Sequence, residues 1–128
     1  MKILICSDGT AAAETAILLG GSLAQPLQAQ VELLGIAETP GDEHSLREAL
    51  QKQAALLHGH GISPDVIVQS GEPVRQILDQ TSKSKYDVVV VGTRWTGAVG
   101  DYWRSQKTYE VIKSIQPPVL VADRKSVV

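Results

Sequence analysis

Short apolar runs alternate along this chain with longer segments in which apolar residues recur every three or four positions. Five such runs predict β-strands, at 2–7, 31–37, 65–69, 87–91 and 119–122. Four longer segments show the spacing of a helix with one buried face, at 13–27, 45–57, 73–81 and 108–115. The order is β-α-β-α-β-α-β-α-β, which indicates a parallel sheet with helices on both faces.

Three local features refine this picture. The run at 87–91, Asp-Val-Val-Val-Val, is apolar on both sides, as is typical of a central parallel strand. Gly20 falls on the buried face of the first helix, where a residue without a side chain permits a close approach to the sheet. The sequence Ser45-Leu46-Arg47-Glu48 matches a capping box and predicts that the second helix begins there.

Bulk composition fits one soluble domain spanning residues 1–128. The chain is 43% hydrophobic and has no phenylalanine, so we expect an aliphatic core. A net charge of -2 gives no electrostatic reason to expect a nucleic-acid partner. The single cysteine, the lack of a signal-peptide pattern and the lack of a membrane-length apolar run predict a cytoplasmic protein without a membrane partner.

Polar, glycine-bearing segments follow two of the predicted strands. One is Ser7-Asp8-Gly9-Thr10 after the first strand, and the other is "GTRWTGAVGDYW" at 92–103 after the fourth. In a doubly wound sheet, ligands bind at the carboxyl ends of the strands, where the strand order reverses. The two segments flank one cleft only if strands one and four are neighbours, which gives the strand order 3-2-1-4-5.

Three stretches of the chain resemble the universal stress protein family. They are "KILICSDGT" at the start, "GEPVRQILDQTSKSKYDVVVVGTR" in the middle and "PPVLVADRK" near the end, in the order that the family has them. The resemblance covers nearly the whole chain. It implies an open, parallel, five-stranded Rossmann-like sheet of order 3-2-1-4-5, which agrees with the cleft.

Nucleotide-binding members of that family carry a signature after strand four: Gly, two residues, Gly, nine residues, then Gly and Ser or Thr. Here Gly92 matches the first glycine, but Trp95 stands at the second, Ser105 at the third and Gln106 at the hydroxyl position. Phosphate loops depend on glycine because backbone amides must approach the phosphate oxygens closely. The resemblance therefore implies a degenerate ATP-binding loop, in which Arg94, Arg104 and the start of a helix still offer partners for an anion.

Asp8 supports two interpretations. It matches the first-strand aspartate that, in nucleotide-binding members of the family, faces the adenosine part of the ligand. Asp and Gly are also common turn residues, and Asp8 could cap the helix that follows.

The candidate cleft residues are Asp8, Gly9, Thr10, Ala37, Gly92, Thr93, Arg94, Trp95, Arg104, Ser105 and Gln106.

Catalytic and metal sites have little support in the sequence. Haloacid-dehalogenase-like phosphatases carry Asp-x-Asp-Gly-Thr after their first strand, but Cys6 replaces the nucleophilic first Asp here. His58 and His60 are two residues apart and do not share a helix face, so we expect no metal site. We predict a non-catalytic stress-response or regulatory protein that needs no cofactor. The alternatives are a protein that binds ATP or AMP, and a small phosphatase that uses Asp8.

Two features concern partners. Trp95, Tyr102 and Trp103 either plug the cleft, form a patch for an unknown protein partner, or stack on a flat ligand. In the order 3-2-1-4-5 the last strand lies at an edge, and members of the resembled family often dimerise by pairing this strand. We therefore expect a homodimer formed through Val119, Leu120, Val121 and Ala122.

Overall fold

All five predicted strands form one parallel sheet. The computed structural model describes residues 1–92, 115 and 117–122 of the chain. Its strands are β1 (Lys2–Cys6), β2 (Gln30–Ala37), β3 (Asp65–Ser70), β4 (Val88–Gly92) and β5 (Val119–Ala122). They lie in the order β3-β2-β1-β4-β5 and every neighbouring pair is parallel, so the predicted order is confirmed.

Three helices connect the first four strands. They are α1 (Glu14–Leu27), α2 (Glu43–His58) and α3 (Pro73–Lys83), and short 3-10 turns at Ala11–Ala13 and Pro40–Asp42 lead into α1 and α2. The helix predicted at 108–115 lies outside the described residues except for Ile115, which is buried. No helix in the described ranges is both long and apolar enough to span a lipid bilayer.

Alternate side chains of β1 enter two separate cores, one on each side of the sheet. Ile3 and Ile5 pack with α1 and α2, whereas Leu4 and Cys6 pack on the side of α3. All four are at most 1% exposed. Successive residues of a strand point to opposite faces, so a strand that is buried throughout must be covered on both sides. The predicted placement of helices on both faces is thus confirmed.

Gly20 brings α1 close to the sheet, as the sequence predicts. A Cβ atom added at Gly20 would lie 2.7 Å from Ile5 Cγ1, a separation that packed carbon atoms do not adopt. Because β1 is the middle strand, this close approach places α1 directly against the centre of the sheet.

The predicted capping box at Ser45 was wrong. Helix α2 begins at Glu43, and the Ser45 hydroxyl donates to the Asp42 carbonyl oxygen at 3.1 Å instead of capping an amide. The turn at Pro40–Asp42 runs directly into the helix, and the Glu43 carboxylate accepts a hydrogen bond from the Ser70 hydroxyl at the end of β3. A tertiary contact in the first turn therefore accompanies the earlier start of α2.

A buried polar chain joins α3 to the sheet on the opposite side. The Tyr86 hydroxyl donates to Glu32 Oε1 and accepts from Gln80 Nε2 at 2.7 Å. Glu32 Oε2 also pairs with Lys2 Nζ at 3.2 Å, and Gln69 Nε2 donates to Gln80 Oε1 at 2.9 Å. Buried polar groups are tolerated when they find such partners, and Gln80 ties α3 to the sheet through them, although Gln69 Oε1 has no partner among the described residues.

Candidate ligand-binding cleft at the carboxyl ends of the strands

A cleft of about 350 Å³ opens at the carboxyl ends of β1 and β2. Its walls come from the loop after β1, the end of β2 with the turn that follows, and the first two turns of α2. The lining residues are Asp8, Gly9, Thr10, Ile36, Ala37, Glu38, Thr39, Asp42, Ser45, Leu46 and Ala49. Clefts at this edge of an open α/β sheet are the usual ligand sites of such folds.

The loop after β1 is held by its own side chains. Asp8 Oδ1 accepts hydrogen bonds from the Thr10 backbone N–H at 2.9 Å and from the Thr10 hydroxyl at 2.5 Å. The Ser7 hydroxyl oxygen accepts from the Gly9 N–H at 3.0 Å. Asp8 therefore forms a turn, as one of its two interpretations requires, but no side chain caps the 3-10 turn or α1.

The second carboxylate oxygen of Asp8 has a different environment. Within the described part of the chain, Asp8 Oδ2 is buried and has no hydrogen-bond partner. A buried, unpaired carboxylate oxygen costs free energy, because its lost hydration is not replaced. Asp8 as a residue is among those that line the cleft.

Position 9 requires glycine, both because of its backbone conformation and because of the side chains that pack around it. Its φ of 81° lies in the left-handed region, which residues other than glycine adopt only at a cost in free energy. A Cβ atom at this position would stand 3.0 Å from Ala49 Cβ and 3.1 Å from Leu46 Cδ1 on α2. The loop after β1 thus rests directly on α2, and both elements line the cleft.

The predicted cleft residues fall into two groups. Asp8, Gly9, Thr10 and Ala37 line the cleft. Gly92 ends β4, and β4 pairs with β1 in parallel, so the carboxyl ends of these two strands lie side by side at one edge of the sheet. Thr93, Arg94, Trp95, Arg104, Ser105 and Gln106 lie outside the described residues, as do Tyr102 and Trp103.

Sequence reasoning missed the wall formed by the turn after β2 and by α2. That wall contributes Glu38, Thr39, Asp42, Ser45 and Leu46. Polar residues directly after a second parallel strand were an available signal, because all the carboxyl ends of these strands meet at one edge. Asp8, Glu38 and Asp42 are acidic, and none of the described lining residues is basic.

Cys6, His58 and His60 are not among the described residues that line this cleft. Cys6 is 1% exposed, and burial raises the pKa of its thiol from 9.0 to about 12, so it stays protonated at neutral pH. His58 is the last residue of α2, and His60 follows it in a turn. In the described ranges, no three His, Cys, Asp or Glu side chains gather into a group that could hold a metal ion.

The sheet order defines a doubly wound α/β protein, with a ligand-sized cleft at the carboxyl ends of β1 and β2, next to the point between β1 and β4 where the strand order reverses. The model of the universal stress protein family matches residues 1–123, and the chain belongs to this family. It is 27% identical over 131 residues to a universal stress protein of Thermus aquaticus, described as lying in the QAH/OAS sulfhydrylase 3' region. That match covers 93% of this chain and 96% of the Thermus protein.

Solved structures share the fold at low identity. A universal stress protein in complex with cAMP superposes with a TM-score of 0.80 at 17% identity, over 96% of each chain. A universal stress protein from Archaeoglobus fulgidus in complex with dAMP superposes with a TM-score of 0.77 at 16% identity, over 95% of this chain and 97% of its own. These likenesses confirm the Rossmann-like sheet predicted from the sequence.

Proposed function

We propose that this chain is a non-catalytic regulatory member of its family, whose cleft takes the nucleoside end of an adenine mononucleotide and discriminates against ATP. The observation that carries the proposal is Asp8 Oδ2, a buried acceptor without a partner in the described residues of the cleft. Nucleosides supply matching donors, namely the amino group of the base and the hydroxyl groups of the ribose.

The size and charge of the cleft support a nucleoside over a polyphosphate. Its volume of about 350 Å³ is at the small end of the range for ligand sites, roughly 300–1,000 Å³. Asp8, Glu38 and Asp42 give the described lining an acidic character, which repels phosphate groups. An uncharged base and sugar fit this lining better than a triphosphate chain does.

The loop after β4 supports the discrimination against ATP. Trp95, Ser105 and Gln106 replace three of the four residues of the family's phosphate signature. A single phosphate needs fewer backbone amides than three do, and the sequence after β4 contains Arg94 and Arg104 as candidate partners for it. The relatives solved with cAMP and with dAMP are precedents within the fold for ligands that carry one phosphate.

Calorimetric titration with AMP, cAMP, dAMP and ATP tests the proposal. We expect one of the mononucleotides to bind in the micromolar range and ATP to bind at least about tenfold more weakly, a difference of about 1.4 kcal/mol. Asp8→Asn keeps an acceptor for Thr10 but replaces Oδ2 with an amide donor, and we expect it to weaken mononucleotide binding about tenfold or more.

Asp79→Ala is the matched control, because Asp79 is exposed on α3 and lies outside the cleft lining. It should leave the affinity unchanged. Binding of ATP as tight as that of AMP would contradict the proposed discrimination against ATP. An unchanged mononucleotide affinity in Asp8→Asn would show that Asp8 does not take part in binding. A wild-type protein that binds none of the four nucleotides would refute the proposed function.

We also propose that the protein forms a homodimer through β5. This strand lies at one edge of the sheet, and Leu120 is 38% exposed there. An apolar edge strand with unpaired backbone groups favours pairing with a second strand. We expect the wild type to sediment as a dimer at micromolar concentration and Leu120→Lys to sediment as a monomer. Leu56→Lys, at a leucine 41% exposed on α2, should remain dimeric, and a monomeric wild type would disprove the interface.

A further inference from the structure

Gln53 is an unusual residue for its position on α2. It is only 5% exposed, and its neighbours on the buried face of the helix are Leu50, Ala54 and Leu57. An apolar side chain would fill this place without the cost of desolvating an amide. The amide group is therefore best explained by the hydrogen bonds that it makes.

Both ends of the Gln53 amide bind the loop after β1. Gln53 Oε1 accepts from the Ser7 hydroxyl at 2.6 Å, and Gln53 Nε2 donates to the Thr10 carbonyl oxygen at 2.9 Å. These two contacts span 46 and 43 residues of sequence and enclose Asp8 and Gly9. One side chain of α2 thus fixes both ends of a four-residue loop.

The loop needs such an external restraint. Gly9 has a φ of 81° and, as a glycine, has more accessible backbone conformations than any other residue would. The Ser7 N–H donates to the Leu34 carbonyl oxygen of β2 at 2.9 Å and so holds the start of the loop. The other bonds, from Gly9 N–H to Ser7, from Thr10 to Asp8 and from Ala13 N–H to the Thr10 carbonyl oxygen, are local. Local bonds can persist while Asp8, Gly9 and Thr10 move together about Ser7, but the bond from Gln53 to Thr10 ties the far end of the loop to α2.

Helix α2 also forms the facing wall of the cleft through Ser45, Leu46 and Ala49. We propose that Gln53 is a positioning residue, which sets the distance between Asp8 and this wall and so holds the cleft in the geometry that binds a nucleoside. Gln53 is not among the residues that line the cleft, so it acts through Ser7 and Thr10. Its effect on affinity rests on the function proposed above, whereas its effect on the loop does not.

Amide hydrogen exchange in the unliganded protein tests the positioning role directly. In Gln53→Met, we expect the Gly9 and Thr10 amides to exchange at least about tenfold faster than in the wild type, because both bond only within the released loop. Gln80→Met is the matched control. Gln80 is 6% exposed on α3 and also uses both ends of its amide, but it binds Tyr86 and Gln69 far along the chain from this loop.

Ser7→Ala provides a second variant with a minimal change in volume. The informative probe is the Thr10 amide, because it bonds to Asp8 and not to Ser7. We expect the Thr10 amide to exchange faster than in the wild type. The effects of Ser7→Ala and Gln53→Met should be less than additive in the double variant, since both remove the hydrogen bond between Ser7 and Gln53. If Gln53→Met fails to fold, the exchange rate of the Thr10 amide in Ser7→Ala tests the positioning role by itself.

Nucleotide titration adds the functional measurement. We expect Gln53→Met to bind the preferred mononucleotide at least about tenfold more weakly, and Gln80→Met to bind it as the wild type does. Wild-type exchange rates at Gly9 and Thr10 in Gln53→Met, or equal acceleration in Gln80→Met, would overturn the positioning role. If the wild type binds no nucleotide, the proposed function fails, and the exchange measurement still decides whether Gln53 positions the loop.

Discussion

Replacing Gly20 with valine is expected to lower the free energy of unfolding by about 3 kcal/mol. The Cβ atom alone would lie 2.7 Å from Ile5 Cγ1 and closer still to Ile5 Cδ1. Ile5 cannot turn away freely, because it is fully buried in the middle strand, and Val90 on the next strand stands 3.9 Å from the same Cβ position. The two methyl groups of valine therefore force α1 away from the sheet.

Urea denaturation monitored by circular dichroism measures this loss. Ser22→Val is the control, since Ser22 is exposed on the same helix, and it should change the stability by no more than about 0.5 kcal/mol. Valine also has a better helix propensity than glycine, so any loss at Gly20 reflects packing against the sheet. A Gly20→Val protein as stable as the wild type would mean that α1 does not depend on this close approach.

The strand order could be predicted from the sequence because it follows from where the polar strand ends lie. Ser7–Thr10 and the segment after Val91 share one cleft only if β1 and β4 are neighbours, and the structure has them paired. Gly20 could be predicted for a similar reason: a glycine on the buried face of a helix is a local signal with one main physical explanation.

The start of α2 and the role of Gln53 could not be predicted, because both involve residues distant in sequence. The Glu43 carboxylate meets Ser70 across 27 residues, so the local pattern at Ser45 pointed to the wrong position. Gln53 fits the helical spacing of the buried face, but its partners lie 43 and 46 residues away. The α2 wall of the cleft escaped prediction for the same reason, since helical periodicity does not specify which strand ends a helix covers.

Asp8 forms the turn that one of its sequence interpretations predicts, and its contact with the adenosine part of a ligand stays a prediction. Oδ1 forms the turn with Thr10, while Oδ2 is buried without a partner in the described residues. A turn-forming asparagine or serine would have no second carboxylate oxygen. One side chain therefore both forms the turn and carries the unpaired acceptor. Asp8→Asn keeps the acceptor that forms the turn and removes the second one.

Tyr86→Phe is expected to destabilise the protein by about 2–3 kcal/mol at pH 7.5, because it breaks the buried polar chain at its centre. Tyr86 is 6% exposed and Glu32 is 8% exposed. Without the hydroxyl, Glu32 Oε1 loses a donor and Gln80 Nε2 loses its acceptor. The Lys2 ammonium still pairs with Glu32 Oε2, but it does not replace the bond to Oε1.

The same variant should show a distinctive pH dependence. The pKa of Tyr86 is raised from 10.0 to about 12. Burial is the largest cause; the hydrogen bond from Gln80 lowers the pKa, and the contact with Glu32 raises it. The folded protein therefore holds this proton more tightly than the unfolded chain. The resulting stability is fully present below pH 10 and is lost as the pH rises through about 12.

Urea denaturation of both proteins at intervals between pH 7.5 and pH 11.5 measures this effect. The Phe variant lacks the hydroxyl, so the difference in stability between wild type and variant should narrow above pH 10. Cys6, whose thiol pKa is also raised to about 12, is present in both proteins and cancels in the comparison. A difference that stays constant through this range would show that the phenol of Tyr86 is not held in its neutral form by the fold, and would contradict the hydrogen-bonded chain described for Glu32, Tyr86 and Gln80.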